Sequence, residues 1–165
     1  MNCFMGIDIG TGSSKGVVVD LQGTVLAQHS VPHTMNMPFP GAYEQDADGV
    51  WWHDTVVISN TLLQQLAQQG LGPDHVKAVG ISTIAPCVLP VDKSGKPLRP
   101  GIMYGIDTRA IDQIAAIERL VGKDEIFEMT GQQLSSQSCM PKIWWIKEHE
   151  PHIYQKTHQF LTATG

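Results

Sequence analysis

The chain opens with short, β-rich apolar runs separated by turn-forming residues. Residues 3–9 and 15–21 flank the stretch Gly10-Thr11-Gly12-Ser13-Ser14, a spacing that predicts a hairpin. A third run, Thr24 to Val31, follows the Gln22-Gly23 turn, so the three should form an antiparallel meander. Residues 32–46 carry three prolines and no periodicity and are expected to cross the sheet edge as a loop. Asp48 is then placed to cap a helix. Its apolar stripe, Trp51, Thr55, Ile58, Leu62 and Leu66, steps by three or four residues until Gly70 stops it.

Past Gly70, Val76–Ser82 reads as a strand buried on both faces, and Val88–Val91 as another that turns at residues 92–95. A short extended run, residues 101–104, should follow. Asp107 or Thr108 then opens a helix bearing Ile111, Ile114, Ile117, Leu120 and Val121, with Gly122 after it. Another helix is expected near Pro141, carrying Ile143, Trp144 and Ile146 and ended or interrupted by Pro151. A last strand would run from His158 to Thr162. Three strands, a helix, strands, helices and a strand suit an α/β layered fold with a mixed sheet.

Composition narrows the function. With 165 residues and 42% hydrophobic content, the chain can bury the core of one globular unit. Its net charge of -5 comes from scattered residues, which argues against nucleic acid as a partner. No apolar run approaches the roughly 20 residues that span a bilayer, and the start lacks a signal-peptide pattern. Cys3, Cys87 and Cys139 lack metal-ligand or CxxC spacing and read as reduced thiols, so a cytoplasmic protein is expected.

The main chemical signal is Asp8-Ile9-Gly10-Thr11-Gly12-Ser13-Ser14-Lys15-Gly16. It sets a carboxylate, small residues, hydroxyls and a cation on one turn. Glycines admit a phosphate close to backbone N–H groups, hydroxyls add donors, Lys15 offsets charge, and Asp8 can reach magnesium directly or through water. GxGxxG would need glycine where Lys15 stands, and GxxxxGK[ST] is absent. Both of those loops open helices, whereas Val17–Val19 predicts a strand. A plain hairpin with Asp8 stabilising its turn is the competing reading.

The strand–DxGT–strand arrangement resembles the phosphate hairpin of the superfamily that holds sugar kinases, actin and the heat-shock chaperone ATPases. Further segments resemble the FGGY carbohydrate kinases. Gly41-Ala42-Tyr43-Glu44-Gln45-Asp46, before Trp51-Trp52, is similar to that family's G-[YW]-x-E-[QH]-[DN]-P stretch, with Ala47 replacing proline. Residues 76–82 resemble the strand leading to the sugar pocket. Leu98-Arg99-Pro100-Gly101-Ile102-Met103-Tyr104, continuing to Asp107 and Arg109, resembles the family's LRPAILW-N-D-x-R region with one extra residue in the turn. Simpler roles stand beside these: core packing for the tryptophans, loop support for Glu44, a helix cap for Asp107, a surface site for Arg109, and solvated His149 and His152.

The resemblance implies a ribonuclease H-like mixed sheet with flanking helices, ending before the fold is complete. Residues 1–165 would be an incomplete N-terminal domain, with the ATPase-like C-terminal domain absent. It implies ATP and Mg2+ as cofactors, and phosphorylation of a sugar hydroxyl by the parent protein. No catalytic residue falls in this chain, because the general-base Asp would lie beyond it. Gly10, Thr11, Gly12, Ser13 and Lys15 would hold phosphate, Asp8 the metal shell, and Thr83, Ala85, Pro86, Tyr104, Asp107 and Arg109 the sugar side. Xylulokinases typically carry Gly-Gln-Met-His-Gly after this strand and glycerol kinases Arg-Glu; Ala85-Pro86 matches neither. A pentulose such as xylulose is the first expectation, with sugar acids or polyols behind it. The isolated chain would be inactive or a non-catalytic sugar- or nucleotide-binding module, and uncovered apolar faces would favour self-association into a homo-oligomer or partial disorder. An actin-like or chaperone ATPase is the third class.

Overall fold

The structure, a computed structural model, describes residues 1–164. It divides into two compact units: Met1–Met35 with Ala47–Ile84 and Thr164, and Asn36–Asp46 with Ala85–Ala163.

In the first unit, strands β1 (Cys3–Ile9), β2 (Ser13–Asp20), β3 (Val25–Pro32) and β5 (Val76–Thr83) form one sheet in the order β3-β2-β1-β5. The expected meander is present, with β1–β2 and β2–β3 antiparallel, while β5 adds parallel to β1 and makes the sheet mixed. Alternation along β1 and β2 buries Cys3, Met5, Ile7, Ile9, Ser14 and Val18 on one face. Helix α1 (His53–Ala67) lies against β1, β2 and β3 and contributes the fully buried Ile58, Leu62 and Leu66. Close approach is possible because β2 has Gly16 beneath it. A Cβ there would overlap Ile58 and stand 2.9 Å from Leu62 Cδ1.

Three expectations need correction in this unit. Strand β2 begins at Ser13 and not at Lys15, so the turn is only Gly10–Gly12. The helical path starts as a wide π-helical turn, Ala47–Trp52, before α1 proper, which buries Trp51 but leaves Trp52 67% exposed. Adjacent helical positions point in different directions, so the pair cannot both face the core. Finally, β5 is exposed along most of its length, with Val79 and Ile81 more than half accessible. It lies at the sheet edge, beyond the strands on which α1 packs.

The second unit holds two short antiparallel pairs, β4 (Glu44–Gln45) with β7 (Gly101–Ile102) and β6 (Leu89–Val91) with β8 (Gln159–Leu161). Its helices are α2 (Ile111–Val121), α3 (Lys123–Thr130), α4 (Cys139–His149) and α5 (Pro151–Lys156). Val88, Ile102 and Ile146 form the core, joined by Ile143, Trp145, Ile153 and Phe160. Pro151 interrupts the last helical stretch as expected and opens α5. Helix α2 begins at Ile111, later than predicted, because Asp107 does not cap it. That carboxylate accepts the Tyr43 and Arg109 backbone N–H groups instead.

Candidate active site

Strand register assembles the first cluster. Asp8 stands opposite Lys15 on β2, Lys15 opposite Ser30 on β3, and Asp8 beside Ser82 on β5. Ser82, Asp8, Lys15 and Ser30 therefore make one polar row across all four strands. The row lies in a groove of about 980 Å3, floored by Gly6, Gly16 and Gly80. Asp8 and Lys15 are both exposed. The groove is on the sheet face opposite α1, so this charged pair is left available while the other face is occupied by packing.

The turn at one end of the row is closed by the Gly10 N–H, which donates to the Ser13 carbonyl at 3.1 Å. Behind it lies a buried polar network that the sequence reading missed. Ser14 Oγ donates to Asp54 Oδ2 at 2.7 Å, and His33 Nδ1 lies 2.9 Å from the same oxygen. His33 Nε2 is 3.0 Å from the Gly10 carbonyl, and the His33 backbone N–H donates to the Gly12 carbonyl at 3.1 Å. Gly10 O can only accept, so Nε2 carries a hydrogen in this arrangement. Burial works to raise the Asp54 pKa, but hydrogen bonds from Ser14, His33 and His53 outweigh it and hold the carboxyl below its ordinary value. A signal was present in the sequence: position 54 falls on the same helix face as Ile58 and Leu62. A carboxylate inside an apolar stripe requires partners.

The second unit gathers Tyr104, Asp107 and Arg109 around another charged cluster. Arg109 donates through Nε to both Asp107 oxygens at 3.0 Å, through Nη2 to Asp107 at 2.8 Å and through Nη1 to Glu44 at 2.8 Å. Glu44 also accepts from Arg99, which in turn meets Glu150 at 3.1 Å. The side chains of Asp107 and Arg109 have no exposed surface. The guanidinium lies 5.5 Å from the Phe39 ring centre and 4.9 Å from that of Trp145. Burial pulls the Arg99 pKa down, opposed by Glu44 and Glu150. Lys142 Nζ donates to the carbonyls of Met103, Tyr104 and Ser136 at 2.6, 3.0 and 2.6 Å. Its pKa is also lowered by burial, against the pull of Asp107.

Of the other predicted residues, Thr83 ends β5 in the first unit, half-buried. Ala85 is exposed and Pro86 half-buried in the second, joined by a cis peptide bond. Tyr104 is half-buried, and its carbonyl receives both Lys142 and the Asp107 N–H. Glu44 holds its loop, as the simpler reading expected, but through ion pairs and not alone. His149 stacks on Trp145 at 4.7 Å between ring centres. Among the described residues no group of three or more His, Cys, Asp or Glu is arranged to hold a metal.

This architecture is that of solved sugar kinases. It superposes on the crystal structure of xylulose kinase from Rhodospirillum rubrum with a TM-score of 0.86 and 27% identity, covering 99% of this chain and 32% of that one. The N-terminal domain model of the FGGY family of carbohydrate kinases matches residues 3–164, and the chain belongs to that family. Relatives include a xylulose kinase of Staphylococcus xylosus, 27% identical over 95% of this chain and 31% of its own length. A glycerol kinase of Methylorubrum extorquens is 33% identical over 87% of this chain and 28% of its own. The chain thus spans about a third of the length of these relatives.

Proposed function

We propose that this chain is the N-terminal domain portion of a cytoplasmic, ATP-dependent kinase that phosphorylates a sugar hydroxyl. The supporting observation is the exposed Asp8–Lys15 pair in the groove beside the glycine turn, in a chain of a carbohydrate-kinase family. Gly10, Thr11, Gly12, Ser13 and Lys15 receive the nucleotide phosphates. Asp8 suits a magnesium ion that arrives with ATP, because such ions keep waters and need only one or two protein carboxylates. When bound, the ion would offset charge on the phosphates. Lys15 supplies a fixed positive charge toward the same oxygens.

On the sugar side the reading assigns Thr83, Ala85, Pro86 and Tyr104 to substrate contact. Asp107 and Arg109 act from behind: their side chains have no exposed surface, Asp107 bonds the Tyr43 N–H and the Tyr104 carbonyl, and Arg109 holds the Asp107 carboxylate. Ala85-Pro86 presents little hydrogen-bonding capacity, so hydroxyl recognition falls to neighbouring groups. A ketopentose such as xylulose is the first substrate to try, since xylulose, ribulose and glycerol kinases are all among the relatives. The 165 residues alone are expected to show no transferase activity.

A coupled ADP-release assay on the full-length kinase, run over ketopentoses, polyols and sugar acids, tests the reading. Sugar-dependent ADP release that collapses in Asp8→Ala supports it. ATP hydrolysis indifferent to every sugar would instead place the protein with the actin-like ATPases.

A further inference from the structure

We propose that His33 and Asp54 are positioning residues that set the peptide orientation of the Gly10–Ser13 turn from behind, and through it the affinity for ATP. The inference rests on the reading that this turn receives nucleotide phosphates.

Trans peptide geometry carries the argument. In a trans unit the C=O of one residue and the N–H of the next point in opposite directions. His33 holds two carbonyls of the turn, Gly10 through Nε2 and Gly12 through its own backbone N–H. Drawing those oxygens toward His33 directs the N–H groups of Thr11 and Ser13 to the other side. Two of the amides assigned to phosphate are thus aimed by one residue whose side chain is enclosed behind the turn. Its ring is fixed in turn by Asp54, and Asp54 by Ser14 on β2 and by its place on α1.

The network is rigid because its groups are enclosed. The side chains of His33 and Asp54 are only 7% and 4% exposed. Buried polar groups that lose a partner are costly, so the ring has little freedom to turn away. Gly16 adds to this by letting α1 sit directly on β2, which keeps Asp54 at hydrogen-bond distance from Ser14. The arrangement is a strut from helix to turn. It is not a nucleophile relay, since the carboxylate stands between the hydroxyl and the imidazole.

The test is steady-state kinetics on the full-length kinase with its best sugar. Asp54→Asn and His33→Ala should raise KM for ATP about tenfold or more while KM for the sugar stays within about twofold. His33→Gln, whose amide can still donate toward Gly10 O, should recover part of the loss. Ile58→Val loosens the same helix–sheet contact without touching the network. It should lower the melting temperature and leave KM for ATP unchanged; an equal rise in KM there would overturn the proposal. If Lys15→Ala raises KM for ATP and neither Asp54→Asn nor His33→Ala changes it, the strut is wrong while the phosphate reading survives. If Lys15→Ala and Asp8→Ala also have no effect, the phosphate reading itself fails and takes the strut with it. Should His33→Ala not fold, a nitrogen-15 spectrum of the unsubstituted histidine rings decides: Nε2 of His33 protonated is expected, and a bare Nε2 overturns the proposal.

Discussion

Two pairings of aspartate with a cation, Asp8 with Lys15 and Asp107 with Arg109, are put to opposite uses. Asp8 and Lys15 face each other across β1 and β2, both exposed, on the sheet face opposite α1. Asp107 and Arg109 have no exposed side-chain surface, are bonded to each other three ways, and extend into Glu44 and Arg99. Exposure leaves the first pair free to exchange water for a ligand's charge, at little cost to the fold. The second pair has already exchanged water for protein, so its contribution is to geometry. Residue type alone does not distinguish the two; the environment does.

The largest effect should come from breaking the buried pair. Arg109→Ala would strand Asp107 without its guanidinium and leave Glu44 with Arg99 alone, and losing one partner of a buried ion pair costs about 3–5 kcal/mol. It would also remove the cation that lies beside the stacked Phe39 and Trp145 rings. Urea denaturation should show a large drop in midpoint or no folded baseline. A loss under about 1 kcal/mol would mean that the cluster is solvated in solution.

The exposed pair should behave in the reverse way. Asp8→Ala is expected to lower turnover of the full-length kinase by about 10²–10³, the effect of removing one preorganised electrostatic group. Its stability should move by no more than about 0.5 kcal/mol, as for other exposed substitutions. Turnover measured beside a melting curve checks both halves. A variant that keeps its activity but melts early would assign Asp8 to the fold.

Lys142→Met comes next. The side chain is buried, and three carbonyls share its ammonium group. Methionine fills a similar volume without a donor, so the unpaired carbonyls should cost about 1–3 kcal/mol. Because two of them belong to Met103 and Tyr104, KM for the sugar should rise while KM for ATP does not. An unchanged sugar KM would separate Tyr104 from the substrate.

The same contrast explains how much was legible in the sequence. The hairpin was readable because strand alternation and turn glycines are local signals; the Asp8–Lys15 register was not, because it depends on β2 starting at Ser13 inside the stretch read as turn. The α1 stripe was readable for the same reason. Strand β5 was misjudged because a continuous apolar run records the demand for cover, not whether α1 reaches it; Val79 and Ile81 are exposed at the edge. Helix α3 was missed because it is eight residues long and buries only Ile126; its one plain sign is Gly131, left-handed at its end. The roles of Arg109 and Lys142 depend on partners up to 65 and 39 positions away. No local pattern carries that information, and motif similarity could point to Asp107 and Arg109 without revealing that they are enclosed.

The smallest expected effect lies in the network behind the turn, which is buried like the Arg109 cluster. Asp54 has its pKa held below 3.8 in the fold, burial opposing and the bonds from Ser14, His33 and His53 prevailing. A carboxyl that is more acidic folded than unfolded stabilises the fold fully above the unfolded value. That contribution is lost as pH falls through the folded value, because the unfolded state then binds more protons. Stability should therefore decline on acidification below pH 3.8 with a component from Asp54 of at most about 1.4 kcal/mol per pH unit. Asp54→Asn should be less stable at neutral pH and should lack that component, so the two stability curves converge toward acid. Chemical denaturation of both proteins across this range provides the check. Parallel curves would show that Asp54 titrates alike folded and unfolded, and that the bonds from Ser14 and His33 do not favour its charged form.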